Sequence, residues 1–151
     1  MNKKQKAEYI YNYILKNITR KFLGNKSTYT DDLNIFCKKL FNDKFMGVYP
    51  ADKIKKLTNK KPYMILNLDK SGMSGSHWVA VVKNNNKTLF YDSFGRSYKK
   101  IMPNIKKSNN KKIYNTELDK EQENEEKDCG ARCCAFLCVV DWFGIDYGEL
   151  I

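Results

Sequence analysis

The stretch "CGARCCAFLCVVDWF", residues 129–143, is apolar nearly all round. A helix with no polar face must be buried on every side, so the rest of the chain has to wrap it. It follows "DKEQENEEKD", residues 119–128, a polar, acidic segment that reads as a loop. The helix therefore opens abruptly at Cys129, where unpaired backbone N–H groups and the helix dipole favour negative charge. The chain of 151 residues is long enough for one domain with a real core, residues 1–151, and shows no internal repeat.

The remaining elements follow from periodicity. Residues 3–22 predict a helix with Tyr9, Ile10, Tyr13, Ile14 and Ile18 on its apolar face and Gly24 as its stop. "STYTDDLNIFCKKLF" predicts a second helix, capped by Thr30, with Asp31 and Asp32 in its first turn and Leu33, Phe36, Cys37 and Leu40 facing inward. "FMGVYPADKI", residues 45–54, reads as a loop broken by Gly47 and Pro50. Strands are expected at 62–69, 77–83 and 88–93, with "SGMSGS" as a flexible connection and "NNNK" as the turn of a hairpin. Residues 97–108 carry a helical pattern that Pro103 breaks or begins, and 111–118 reads as a further strand. The fold class is α+β.

Composition narrows the function classes. No run of about 18 apolar residues exists, so no membrane span is expected. The start of the chain has neither an apolar signal core nor a small-residue cleavage site, so secretion is not indicated. The cysteines are Cys37, Cys129, Cys133, Cys134 and Cys138, an odd number, and a reducing compartment with free thiols is expected. Zinc fits poorly, because the second ligand pair is missing and the one histidine, His77, is far away in sequence. The net charge is +11, made of +18 in residues 1–112 and −7 in residues 113–151. A basic body suits nucleic acid, but the lysines are scattered, and an AT-rich genome enriches lysine and asparagine through codon composition alone. Arginine is scarce: Arg20, Arg96 and Arg132 only.

Chemistry concentrates around Cys129. A thiolate at a helix N-terminus is stabilised, whereas Cys133, Cys134 and Cys138, deeper in the helix, read as small hydrophobes. A thiolate nucleophile needs a base, and His77 begins an apolar strand just before Trp78. The hairpin returns through "FYDSFG", bringing Asp92 to the paired strand, where a carboxylate fixes the imidazole tautomer and stabilises the imidazolium. An aspartate between Tyr91 and Phe94 in an apolar strand needs such a partner. Taken alone, His77 reads as an edge residue, Trp78 as a core tryptophan and Gln122 as a solvated loop residue.

The segments "GSHWVAVVK", "LFYDSFG", Gln122 and "CGARCCAFL", in this order and spacing, resemble the adenain-like maturation cysteine proteases of adenoviruses and, more distantly, the SUMO-deconjugating proteases. The Cys-Gly-x-x-Cys-Cys-x-Phe-Leu pattern, the Gln-to-Cys offset and the upstream "FMGVYPADKI" favour the adenain branch. The resemblance runs from about residue 28 to 143. It implies a central mixed β-sheet flanked by helices, with the nucleophile at the N-terminus of a buried helix. It implies Cys129 as nucleophile, His77 as general base and acid, Asp92 as third member and Gln122 as oxyanion-hole residue, with Trp78 and Gly130 beside the substrate. It implies a cysteine endopeptidase that cleaves virion precursors such as capsid proteins after glycine, at Gly-x-Gly or Gly-Gly sites, in the virion or host cytoplasm, without a metal or other cofactor. DNA is a further expected partner, and the composition suits a virophage or related DNA virus. The family's activating disulfide has no counterpart, since the matching place near Lys111 holds no cysteine. The rival readings are a SUMO- or ubiquitin-type isopeptidase, an acyltransferase of the same clan, and a non-catalytic DNA-binding protein.

Overall fold

The computed structural model describes residues 1–72, 77–85, 87–105 and 112–151. Its first unit is a continuous helical rod: α1 (Lys3–Ile14), a π-helical turn over Leu15–Thr19 and α2 (Arg20–Leu23). A capping box starts it, with Asn2 accepting from Gln5 N at 2.8 Å and Gln5 accepting from Asn2 N at 2.9 Å. Gly24, at φ 79°, ends it. The buried stripe is Ala7, Tyr11, Ile14 and Leu15, whereas Tyr9 and Tyr13, expected inside, are 62% and 56% exposed. The choice among tyrosines is made by a partner: the Tyr11 hydroxyl meets that of Tyr91 at 2.7 Å in the core. A tyrosine tolerates either side of such a boundary, so spacing alone does not rank the three.

The second helix, α3 (Thr30–Phe41), begins with Thr30 rather than being capped by it; Tyr29 holds the cap position and makes no side-chain hydrogen bond there. Leu33, Cys37 and Phe41 are buried, with Phe36 and Leu40 packed against the same core.

The sheet has five strands in the order β1-β2-β3-β4-β5: β1 (Phe45–Tyr49), β2 (Tyr63–Asn67), β3 (Trp78–Asn84), β4 (Lys87–Tyr91) and β5 (Ile113–Asn115). The central pairings β2–β3 and β3–β4 are antiparallel, and the edge pairings β1–β2 and β4–β5 are parallel, so the sheet is mixed. Residues 45–49 are thus a strand, not a loop. Gly47 sits at φ 137° where the register of β1 slips against β2, and a Cβ there would lie 2.9 Å from the Tyr49 hydroxyl. The glycine that reads as a loop marker is what the bulge requires, and Pro50 ends the strand instead of preventing it. The hairpin turn places Asn85 at φ 53°, a conformation asparagine tolerates, while Asn86 lies outside the described residues. A short α4 (Tyr98–Ile101) stops before Pro103. The rest of the expected helix beyond residue 105, most of "SGMSGS" and Lys111 also lie outside the described residues.

Alternation along the strands splits the core in two. Tyr63, Ile65, Ala80, Val82, Leu89 and Tyr91 face the helical layer, and Met64, Leu66, Val79, Val81 and Phe90 face a thinner layer of Leu57, Tyr98, Met102 and Ile105. The helical layer is built round α5 (Cys129–Phe143), whose residues from Cys129 to Val140 are all buried, as its all-round apolarity requires. A short α6 (Ile145–Gly148) follows, where Gly148 lies so close to Val140 that a Cβ would stand 2.5 Å from its Cγ2. No described helix is long and apolar enough to cross a membrane.

Candidate active site

Sheet and helix converge on one corner. His77 immediately precedes β3 and its carbonyl accepts from Leu68 N at 3.1 Å. Asp92 immediately follows β4, and the antiparallel register that pairs Ala80 with Tyr91 carries it alongside His77. Their side chains meet with Nε2 of His77 2.5 Å from Oδ1 of Asp92. Phe94 stacks on the imidazole, ring centres 4.9 Å apart and tilted by 30°. Cys129, first residue of α5, lies near enough to the same imidazole to be among the groups that raise its pKa. Since Asp92 holds Nε2, the nitrogen left for the thiol is Nδ1. His77 and Cys129 are 6% and 8% exposed, so the pair lies just below the surface.

Burial is the largest influence on His77 and works against its charged form, but hydrogen bonds to Asp92 and Cys129, with the charges of both, raise its pKa above the ordinary histidine value. Burial likewise pushes the Asp92 carboxyl up, and is outweighed by the hydrogen bonds and charges of His77 and Arg96, which hold it down at about 2. An ionised aspartate beside an imidazole with raised affinity for its proton is an arrangement that favours the imidazolium.

Gln122 is 1% exposed rather than solvated. Its Oε1 accepts from the Ser93 hydroxyl at 2.6 Å, its Nε2 donates to the Glu126 carbonyl at 2.6 Å, and its backbone N donates to the Ser93 carbonyl at 3.0 Å. The Asp92–Ser93 dipeptide therefore steadies the imidazole on one side and the Gln122 loop on the other. One N–H of the Gln122 amide remains beyond the bond to Glu126.

A charge network holds that loop against the helix start. Asp128, 1% exposed and directly before Cys129, accepts from Arg20 Nε at 2.6 Å and Arg132 Nε at 2.9 Å. Glu126 takes Arg20 at 3.2 Å and Arg132 at 3.1 Å, and Arg132 also donates to the Glu121 carbonyl at 2.7 Å. Alternating two arginines with two carboxylates leaves no unpaired buried charge. None of this is carried by a local motif. The one signal in the sequence is the scarcity of arginine in a lysine-rich chain: a planar fork serves this bidentate network and an ammonium does not.

Trp78 is 7% exposed and its indole N–H donates to the Thr28 carbonyl at 3.1 Å. Thr28 in turn packs on Gly130, where a Cβ would lie 3.1 Å from its Oγ1 and from Leu33 Cδ2. Trp78 also lines a cavity of about 280 Å³ with Tyr49, Pro50, Asn67 and Ser71. On the other side of Thr28, a larger apolar groove of about 540 Å³ runs between α2 and α3, lined by Phe22, Tyr29, Ile35 and Phe36. All six residues singled out from the sequence thus occupy this corner or its immediate support.

The other thiols are fully buried or nearly so and none is in a disulfide; Sγ of Cys37 and Cys134 approach to 3.2 Å. Burial raises the pKa of Cys133, Cys134 and Cys138. Glu8, Asp119 and Glu121 bring carboxylate oxygens within 4.8 Å of one another, but Lys4 Nζ stands among them, 3.0 Å from Asp119 and 3.3 Å from Glu8, so the cluster carries its own cation. In comparisons with known proteins, no family model and no curated protein matches the chain.

Proposed function

We propose that this protein is a cysteine endopeptidase of the adenain-like kind, a viral maturation protease acting on virion precursors such as capsid proteins. The observation that carries the reading is His77 paired with the Asp92 carboxylate at 2.5 Å, with Cys129, at the start of a buried helix, among the groups that raise its pKa. In the reaction, the Cys129 thiolate attacks a peptide carbonyl carbon and forms a tetrahedral adduct. The backbone N–H of Cys129 and the free N–H of Gln122 stabilise its oxyanion. Collapse expels the amine, which takes its proton from the His77 imidazolium, and leaves a thioester on Cys129. Water, deprotonated by His77, then releases the acid and regenerates the thiol. The wall formed by Trp78 favours small residues at the scissile bond, consistent with cleavage after glycine in Gly-x-Gly or Gly-Gly sequences.

The test is to incubate the protein with candidate capsid precursors and sequence the new termini, alongside a peptide electrophile that reports the labelled cysteine by mass spectrometry. New termini after glycine and modification at Cys129 alone are expected. Uniform labelling of the accessible thiols, with no cleavage, would count against the reading. Transfer of the acyl group to an added amine in preference to water would favour an acyltransferase.

A further inference from the structure

The chain has 25 lysines and three arginines, and every one of those arginines grips a carboxylate at this corner. Arg20 and Arg132 share Asp128 and Glu126. The third, Arg96, grips the member of the triad itself. Its Nε donates to Asp92 Oδ2 at 2.8 Å, its backbone N donates to the same oxygen at 3.0 Å, and its Nη2 reaches Oδ1 at 3.4 Å. The guanidinium also lies 5.2 Å from the centre of the Phe94 ring, the ring that stacks on His77. A lysine would satisfy charge at this place; the two-point geometry on Asp92 needs a planar fork.

We propose that Arg96 is a positioning residue of the catalytic apparatus: it occupies Oδ2 of Asp92 so that Oδ1 is presented to Nε2 of His77, and it shares the carboxylate's negative charge with the imidazole. The proposal rests on the protease reading above. Physically, a carboxylate held by one partner can rotate about its last torsion, and Nε2 then loses its fixed acceptor. Held by two, it sets both the ring orientation and the tautomer, leaving Nδ1 toward Cys129. The sharing of charge matters too. A buried carboxylate facing imidazolium alone would hold the proton too firmly for transfer to the leaving amine, and the guanidinium, 34% exposed in its side chain, tempers that hold. Among the described residues, the charged or titratable groups facing His77 are Asp92 from the end of β4 and Cys129 from α5, with Arg96 behind Asp92; Lys120 reaches the Phe94 ring at 6.0 Å.

His77 is the only histidine, so its imidazole signals in an NMR titration are unambiguous and need no substrate. R96Q removes the charge and keeps a donor; its His77 midpoint should move to higher pH by roughly one unit, the scale of one partly exposed charge a few ångström away. R96K keeps the charge and loses the fork; its midpoint should stay near that of the parent while kcat/KM for precursor cleavage falls roughly tenfold through kcat. A midpoint in R96Q that is unchanged or lower overturns the charge-sharing part, and R96K cleaving at the parent rate overturns the positioning part, even if R96Q fails to fold. If the parent protein itself neither cleaves nor labels at Cys129, it is the protease reading that fails, and the His77 titration still reports on Arg96.

Discussion

At the scale of the residue, four cysteines lie within ten positions of one helix, and of these Cys129 raises the pKa of His77. C129A is therefore expected to abolish cleavage and leave the melting temperature nearly unchanged. C133A should keep its activity and lose stability by about 1–2 kcal/mol, the cost of a small cavity in a packed core. Activity assays and thermal melts on both variants check this, and a dead C133A with an active C129A would reverse the assignment. Under the proposed mechanism Gln122→Ala removes one oxyanion donor and should lower kcat by roughly 10²–10³, with KM little affected. Glu121, its neighbour, is a different case. Both its carboxyl oxygens are buried without a hydrogen-bond partner, and burial, aided by the charges of Asp119 and Glu8, pushes its pKa from 4.5 up to about 9. The folded state then binds a proton that the unfolded state has already released above pH 4.5. Stability from this group is full below that pH and declines as pH rises towards 9. E121Q mimics the protonated form, so thermal melts should show it more stable than the parent at pH 8 and equal at pH 4. A parent curve flat across that window would show Glu121 to be ionised in the fold.

At the scale of the element, the start of α5 is positioned from outside. The helix has no side-chain cap; Asp128, at the cap position, turns instead to Arg20 and Arg132. Gly130 gives Thr28 room to press against the helix, and the Thr28 carbonyl anchors Trp78. G130A gains roughly 1 kcal/mol of helix propensity, but its methyl meets Thr28 and Leu33 at 3.1 Å. The expected outcome is a nearly unchanged melting temperature with a several-fold loss of kcat/KM, as Thr28 and the indole are displaced together. Retained activity in G130A would detach Trp78 from the catalytic geometry.

At the scale of the whole molecule, charge is divided along the chain, +18 before residue 113 and −7 after it. The acidic part is largely spoken for, through Arg20, Arg132, Lys4 and Lys120. A polyanion is therefore expected to meet the lysine-rich helices and hairpin rather than the helix bearing Cys129. Affinity for DNA will fall with salt whatever its role, because released counterions drive it. The discriminating measurement is precursor cleavage at fixed, moderate salt with and without duplex DNA. Acceleration supports DNA as a working partner, and binding with an unchanged rate assigns the charge to composition.

Much of this architecture was legible in residue order, because its signals are local. All-round apolarity marks α5 as buried, short apolar runs bounded by turn residues mark the three central strands, and the acidic segment ending at Asp128 marks where the helix starts. The places of Cys129, His77 and Asp92 in the fold were legible for the same reason: a helix start, a strand start and a hairpin return are short-range features. What tertiary structure decided is what depends on a distant partner. β1 looked like a loop because its pairing energy comes from β2, across residues 50–62, and its glycine fits only in that pairing. Tyr11 rather than Tyr9 faces inward because Tyr91 waits there. Gln122 is buried because Ser93 and Glu126 take both ends of its amide. The three arginines pair with carboxylates because the fold brings Asp92, Glu126 and Asp128 to them. Periodicity reports which way a side chain points from its own element; it carries no information on what stands opposite, and hydrogen bonds and ion pairs are made with what stands opposite.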